Sequence, residues 1–310
     1  MGADFGVIAS LLTAVLWAIA VILYRQVGRS MPPLILNLSK NIFAILIFIP
    51  AYIILVKTNA AVGDYSFVRT ELLALSSRDW FTIAVSGVVG VAIAEVLFLE
   101  CLNRVGAAMQ AIIDCLYSPS VILAGYLVLG EIAPPEIFPG VMAVLVGVFL
   151  AGFEPPQGVA INRREKTIGF ILGGISVILL GYAATMVKPL TETAGAMTVT
   201  LGRFLFGTLA MLIWVLLRYG FRGVKVAFTP QREWYMLLPG AFCGNVLATF
   251  FWIVGFHLTA AGRSAILNQT TSIFMIVFAR VFLKEPITKL RVAAMAMAAS
   301  GAAWVGWYWR

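Results

Sequence analysis

Apolar residues gather into long runs along this chain, and charged or proline- and glycine-containing stretches separate them. Ten runs stand out, at 5–27, 34–56, 80–102, 107–129, 135–153, 168–187, 195–217, 234–256, 263–283 and 290–309. Each is close to the roughly 20 residues that a helix needs to cross a bilayer. Most connections are short. The stretch 57–79 is longer and mixes Phe67, Val68, Leu72, Leu73 and Leu75 with charges, which predicts a segment lying along the membrane interface. The stretch 154–167 has the proline, glycine and charge of a linker. Trp80, Trp234, Trp304, Trp307, Tyr308 and Trp309 stand where interfacial aromatic anchors are expected.

The pattern is written twice. The run at 107–131 contains Gln110, Asp114 and Pro119 and ends on Gly130-Glu131; 154 positions later Asn268 stands at the place of Asp114 and Glu285 at that of Glu131. The same offset carries Arg78-Asp79-Trp80 onto Arg232-Glu233-Trp234, Ser86 and Gly90 onto Gly240 and Gly244, and Gly147 onto Gly301. Nearer the N-terminus the offset is 163, which carries Gly6 onto Gly169, Arg25 onto Lys188, Lys40 onto Arg203 and Phe43 onto Phe206. The predicted architecture is an all-α membrane protein of ten transmembrane helices, with a first five-helix repeat at 1–153, a linker at 154–167 and a second repeat at 168–310. Five is odd, so the second copy starts from the opposite face, and the two halves form an inverted repeat of the kind found in secondary transporters.

Composition sharpens the class. Of 310 residues 61% are apolar and 12% charged, with a mean hydropathy of +0.97; a soluble chain of this size needs far more charge to cover its surface. The net charge of +8 sits in short loops and not in a basic patch with interleaved aromatics, so nucleic acid is not an expected partner. Cys101, Cys115 and Cys243 are scattered and His257 is the only histidine, so neither a disulfide framework nor a metal or other cofactor is expected. The first apolar run lacks a basic leader and a cleavage site, and reads as a retained helix. There is no GxxxxGK[ST], HExxH or GxSxG. An ATPase is therefore not expected, and a membrane-embedded enzyme or a channel is the remote rival.

Ionisable groups inside spans are costly and mark function by default. Lys40, Glu95 and Asp114 lie about 10 Å below one face at 1.5 Å per residue. Their counterparts Arg203, Thr249 and Asn268 lie below the other. A cavity between the two layers would suit a zwitterion, its amino group towards Glu95 and Asp114 and its carboxylate towards Arg203. Glu95 is the stronger functional candidate, because the second repeat does without it. Withdrawal from water favours a neutral carboxyl, so Glu95 and Asp114 are the candidates for proton coupling. The structural alternative is a packing ion pair of Lys40 with Glu95 or Asp114, and Arg203 bonded to Asn268 and backbone carbonyls. Asn37, Tyr117, Tyr182, Asn245, Gln269 and Thr270 are further polar candidates for the cavity wall or for interhelical bonds, with Trp17 and Phe43 as apolar ones. Glu100 and Arg104, four apart, predict a surface pair, and Pro119, Pro189 and Gly173-Gly174 predict places to bend.

The segment 14–17, the basic residues Lys40 and Arg203 entering the second and seventh spans, the LGE of 129–131 and the LKEP of 283–286 together resemble an EamA-type member of the drug/metabolite transporter superfamily. The resemblance covers nearly the whole chain. It implies ten spans in two five-helix halves, and transport, chiefly export, of amino acids and other metabolites, drugs or sugar conjugates. Where that family carries arginine in the second span this chain has Lys40, which lacks the planar fork that grips an anion at two points. The expected function is a secondary transporter, most simply a monomer in a bacterial inner membrane, moving a small polar or zwitterionic metabolite by alternating access. The alternative is an anionic substrate, such as a sugar phosphate, nucleotide sugar or lipid headgroup, held by Lys40 and Arg203. The larger share of loop lysines and arginines lies on the face opposite the termini, which places the termini outside the cytoplasm. The family resemblance implies the reverse.

Overall fold

The structure, a computed structural model, describes residues 2–59, 61–62, 65–153, 162–258 and 261–308. Of the linker expected at 154–167, residues 154–161 lie outside the described residues, as do the side chains of His257 and Arg263, and Trp309, while 163–167 form the start of a helix. Among the described residues the long helices follow in order: α1 (Gly2–Val27), α2 (Pro33–Thr58), α3 (Ser77–Val105), α4 (Ala107–Leu129), α5 (Pro135–Gly152), α6 (Arg163–Met186), α7 (Ala196–Phe228), α8 (Trp234–Gly255), α9 (Ala261–Phe282) and α10 (Lys289–Tyr308). Among the described residues, the first eight are long and apolar enough to cross a membrane. The apolar part of α9 that meets the same description is shorter, Leu267–Phe282. Helix α10 opens on Lys289 and Arg291 and is rich in alanine.

Two features were not predicted. Helix α7 runs past its apolar stretch and bends at Gly220, whose φ of 63° and ψ of −165° break the helix; a residue without Cβ adopts this geometry at little cost. Beyond the bend Phe221 and Phe228 are exposed. In the stretch 57–79, Leu73 is 90% exposed while Phe67 is buried and receives a backbone hydrogen bond from Met197 at the start of α7. Two short strands, β1 (Ala61–Val62) and β2 (Tyr65–Ser66), pair antiparallel before it.

The helices pair in a pattern that repeats across the two halves. Helix α1 packs on α8 and α9, and its counterpart α6 packs on α3 and α4; α2 packs on its counterpart α7, and α5 on its counterpart α10. Individual contacts obey the same exchange. A Cβ added at Gly90 would stand 2.9 Å from the Ala183 Cβ, and one at Gly244 would stand 2.7 Å from the Ala20 Cβ. Added at Gly140 it would meet the Gly301 carbonyl at 2.7 Å, and at Gly147 the Ala294 carbonyl at 2.7 Å. Gly301 is the counterpart of Gly147 and Ala294 that of Gly140, so α5 and α10 run antiparallel and touch as residue i on j′ and j on i′, the mark of a two-fold relation. Small residues are required there because the backbones themselves meet.

Both repeats also carry a widened, π-helical stretch at the same place, Gly87–Ala94 in α3 and Phe242–Ala248 in α8. Such stretches loosen the backbone ladder and need partners for their carbonyls. The Ser176 hydroxyl donates to the Ala94 carbonyl at 2.7 Å, and its counterpart Thr13 donates to the Ala248 carbonyl at 3.4 Å. Helix α4 is the irregular one of its pair. Pro119 has no N–H for the Cys115 carbonyl, and the turn before it, Asp114–Leu116, tightens to 3-10 geometry. Ile273, the counterpart of Pro119, leaves α9 regular.

Candidate functional site

The interior polar groups begin at Lys40, seven residues into α2, which is 2% exposed and forms an ion pair with Glu95 of α3. Its ammonium lies 5.3 Å from the centre of the Tyr24 ring, a cation–π contact that shares the charge with an aromatic face. The Tyr24 hydroxyl donates to Asn245 Oδ1 at 2.7 Å, Asn245 Nδ2 to Asn41 Oδ1 at 3.1 Å, and Asn41 Nδ2 to Asn37 Oδ1 at 3.3 Å. Asn37 Nδ2 closes the chain on the Val91 carbonyl, 2.9 Å away in the π-helical stretch. This line of side chains stitches α1, α8, α2 and α3 together.

Asn37 and Asn245 are 0% and 2% exposed. Their amides bond between neighbouring helices. Tyr24 and Asn41 were not singled out in the sequence. Asn41 lies one helical turn after Asn37 in an apolar run, and that spacing was the available signal.

Arg203 holds the position in α7 that Lys40 holds in α2. Its guanidinium lies within electrostatic reach of Tyr117 and Glu95, and Nη2 approaches α3 so closely that a Cβ at Gly90 would stand 2.9 Å away. Glu95 therefore has two cations near it, Lys40 and Arg203. Lys40 is paired with it, while Arg203 Nε has no hydrogen-bond partner among the described residues. At the counterpart of Glu95 stands Thr249, which cannot neutralise Arg203.

Asp114 does not join Lys40. Its carboxylate accepts from Gln110 Nε2 at 2.7 Å, one turn earlier on the same helix. The expected three-membered layer is thus divided into an ion pair and a separate carboxylate with an amide partner. Asn268, the counterpart of Asp114, has both amide atoms withdrawn from solvent and without hydrogen-bond partners among the described residues, and Gln110 Oε1 is in the same condition. The structural alternative of an Arg203–Asn268 bond is therefore absent among the described residues, whereas the Lys40–Glu95 pair is present.

Helices α4 and α9 cross at the centre. Gln269 Nε2 donates to the Ser118 hydroxyl at 2.9 Å, and Cys115 Sγ lies 3.9 Å from the Ser272 hydroxyl. These contacts exchange with one another under the repeat, so the two-fold relation runs between the two helices here. Thr270 is turned to the Leu267 carbonyl of its own helix. Tyr182 lies on the outward stripe of α6 with Ile171, Ile175 and Ile178, all exposed, and takes no part in the interior group. Trp17 packs against Phe98 with ring centres 6.2 Å apart. Glu100 and Arg104 are paired at 3.4 Å, and Arg104 also bonds Glu165. Among the described residues no group of histidine, cysteine, aspartate and glutamate is placed to hold a metal ion.

The family model of the EamA-like transporter family matches the chain twice, over residues 4–153 and 167–307. No curated protein matches the chain. A solved structure titled only as the crystal structure of a protein superposes with a TM-score of 0.62 at 15% sequence identity, covering 96% of this chain and 95% of its own. At that identity the likeness speaks for the fold alone.

Proposed function

The chain belongs to the EamA-like transporter family, and from that premise we propose that it exports a small zwitterionic metabolite, an amino acid or a close relative, across a bacterial inner membrane. The chain is read as ten spans in two inverted five-helix repeats that rock about the interior group, exposing it to each side in turn. The substrate carboxylate binds Arg203, the amide of Asn268 lies in the same layer, and the amino group faces Asp114. The observation that carries this reading is Arg203: a guanidinium deep in its span, with no ion-paired carboxylate among the described residues and Nε without a partner. A cation there that shares its nearest carboxylate with Lys40 is costly to keep, and a ligand carboxylate would complete it. No nucleotide-binding motif exists, so a gradient or exchange supplies the driving force. Asp114 is the preferred proton carrier. Protonating it changes the interior charge without breaking an ion pair, whereas protonating Glu95 would release Lys40.

The rival anionic substrate, gripped by Lys40 and Arg203 together, would require Lys40 to leave Glu95. A thermal-shift screen of the purified protein against amino acids, nucleosides and sugar phosphates separates the two. Stabilisation by amino acids that disappears in Arg203→Gln supports the proposal. Stabilisation by phosphorylated ligands alone replaces it with the rival.

A further inference from the structure

The two repeats end their fourth helices on the same device but hold it differently. Gly130 and Lys284, counterparts at the ends of α4 and α9, both adopt left-handed backbone, with φ of 68° and 56°. In each repeat the next residue is a glutamate whose N–H returns to its own helix at 3.1 Å, Glu131 to the Gly125 carbonyl and Glu285 to the Ala279 carbonyl.

From there the side chains diverge. Glu285 reaches across to the start of α4, where Oε1 accepts from the Ala107 N–H and Oε2 from the Ala108 N–H, each at 3.0 Å. Arg25, at the end of α1, stands 4.0 Å away, and both side chains are 16% exposed. Gly106, at a φ of 86°, makes room for this carboxylate; a Cβ there would lie 2.8 Å from Oε1. This is a charged cap on a helix N-terminus, backed by a cation, and it ties α1, α4 and α9 at one face.

Glu131 bears the same relation to Lys188, the counterpart of Arg25, and pairs with it at 2.8 Å. Its other oxygen turns back on its own helix, 3.0 Å from where a Gly125 Cβ would be. Here the lysine and glutamate side chains are 52% and 34% exposed. The cation is in place, and the carboxylate does not project towards the helix opposite.

We propose that Glu285 and Glu131 are alternate latches, each closing one face of the protein by capping the N-terminus of the helix across from it, and that the structure holds the Glu285 latch closed and the Glu131 latch released. Closing the second means that Glu131 swings from Gly125 to the start of α9 at Ala261, the counterpart of Ala107, with Lys188 following as Arg25 does. The two closures exclude one another, because α4 and α9 pivot on the central contacts at Ser118 and Gln269. The inference rests on the alternating-access reading but not on any substrate.

The test is face-specific labelling of a reporter, Ser118→Cys, in protein whose Cys101, Cys115 and Cys243 are replaced by alanine. A membrane-impermeant thiol reagent is applied to sealed vesicles of either orientation. The reporter reacts from the Glu131 face and is protected from the Glu285 face. Glu285→Gln raises the rate from the protected face roughly tenfold, as loss of a charge-assisted bond implies, whereas Glu131→Gln leaves that face protected. Arg25→Gln, which keeps the carboxylate and removes its cation, moves the rate in the same direction by less, and serves if Glu285→Gln does not fold. The proposal is overturned if Glu285→Gln and Arg25→Gln still react from the Glu131 face at the parent rate but gain nothing at the other. It is also overturned if Glu131→Gln opens the Glu285 face equally. No substrate is used, so failure here leaves the assigned function standing, and a protein that binds no amino acid can still pass.

Discussion

Lys40 and Arg203 occupy one position in two copies of the same module, yet only Lys40 has a carboxylate of its own. Glu95 pairs with it, and Thr249 stands where the second copy would need an equivalent. The two copies therefore differ in charge at this place, with an ion pair in the first and a cation beside a threonine position in the second. The copies differ in the same sense at Asp114 and Asn268, a carboxylate in the first and an amide in the second.

Breaking a buried ion pair from one side strands the other charge, at a cost of about 3–5 kcal/mol. Lys40→Gln and Glu95→Gln should each lower the melting temperature strongly, and the double variant should recover most of the loss. Arg203→Gln removes a charge with no paired carboxylate, and should melt at or above the parent temperature. A double-mutant cycle of thermal melts reads all four.

Asp114→Asn keeps its bond to Gln110, because an amide oxygen still accepts from Nε2. Under the coupling proposed for Asp114, uptake driven by a pH gradient into proteoliposomes should stop while substrate exchange at equal pH continues. Loss of both would assign Asp114 to substrate binding and not to coupling.

Gly90 and Gly244 both lie against an alanine of the other repeat, Ala183 and Ala20, so Gly90→Leu and Gly244→Leu should each destabilise by about 1–3 kcal/mol or more from overpacking. Gly174 has nothing within 4 Å of an added Cβ, and Gly174→Leu should be tolerated. Tolerance of leucine at either of the first two would mean that the helices do not meet closely there.

Lys284 pays for left-handed backbone that Gly130 adopts freely. Lys284→Gly should gain about 1 kcal/mol, and Gly130→Ala should lose a similar amount through backbone strain alone, since open space surrounds that position. Denaturation midpoints of the two variants should move in opposite directions.

The apolar runs, the two offsets and the places of Gly90, Gly244 and Lys40 were legible in the sequence because bilayer thickness and close backbone approach leave few residue choices. The Gly220 bend was not, since a glycine past an apolar run reads as an ordinary loop. The π-helical stretches were not, because Gly87–Ala94 has the same apolar composition as a regular turn. Depth along a helix placed Lys40, Glu95 and Asp114 in one layer, but rotation about the axis decides which of them meet. That rotation is set by packing against neighbours: it turned Lys40 to Glu95, Asp114 to Gln110, and Tyr182 outward. The LGE and LKEP motifs were visible, and so was the match of Arg25 to Lys188. Their pairing across helices was not, because only the fold brings 25, 107 and 285 to one corner.

Ligand binding at Arg203 tests the central claim most directly. Titration of purified protein with the amino acid that stabilises it best, repeated on Arg203→Gln with its fold verified by melting, should show binding in the parent and none in the variant. Equal affinity in both would contradict the account, because the interior cation would then have no part in holding the substrate.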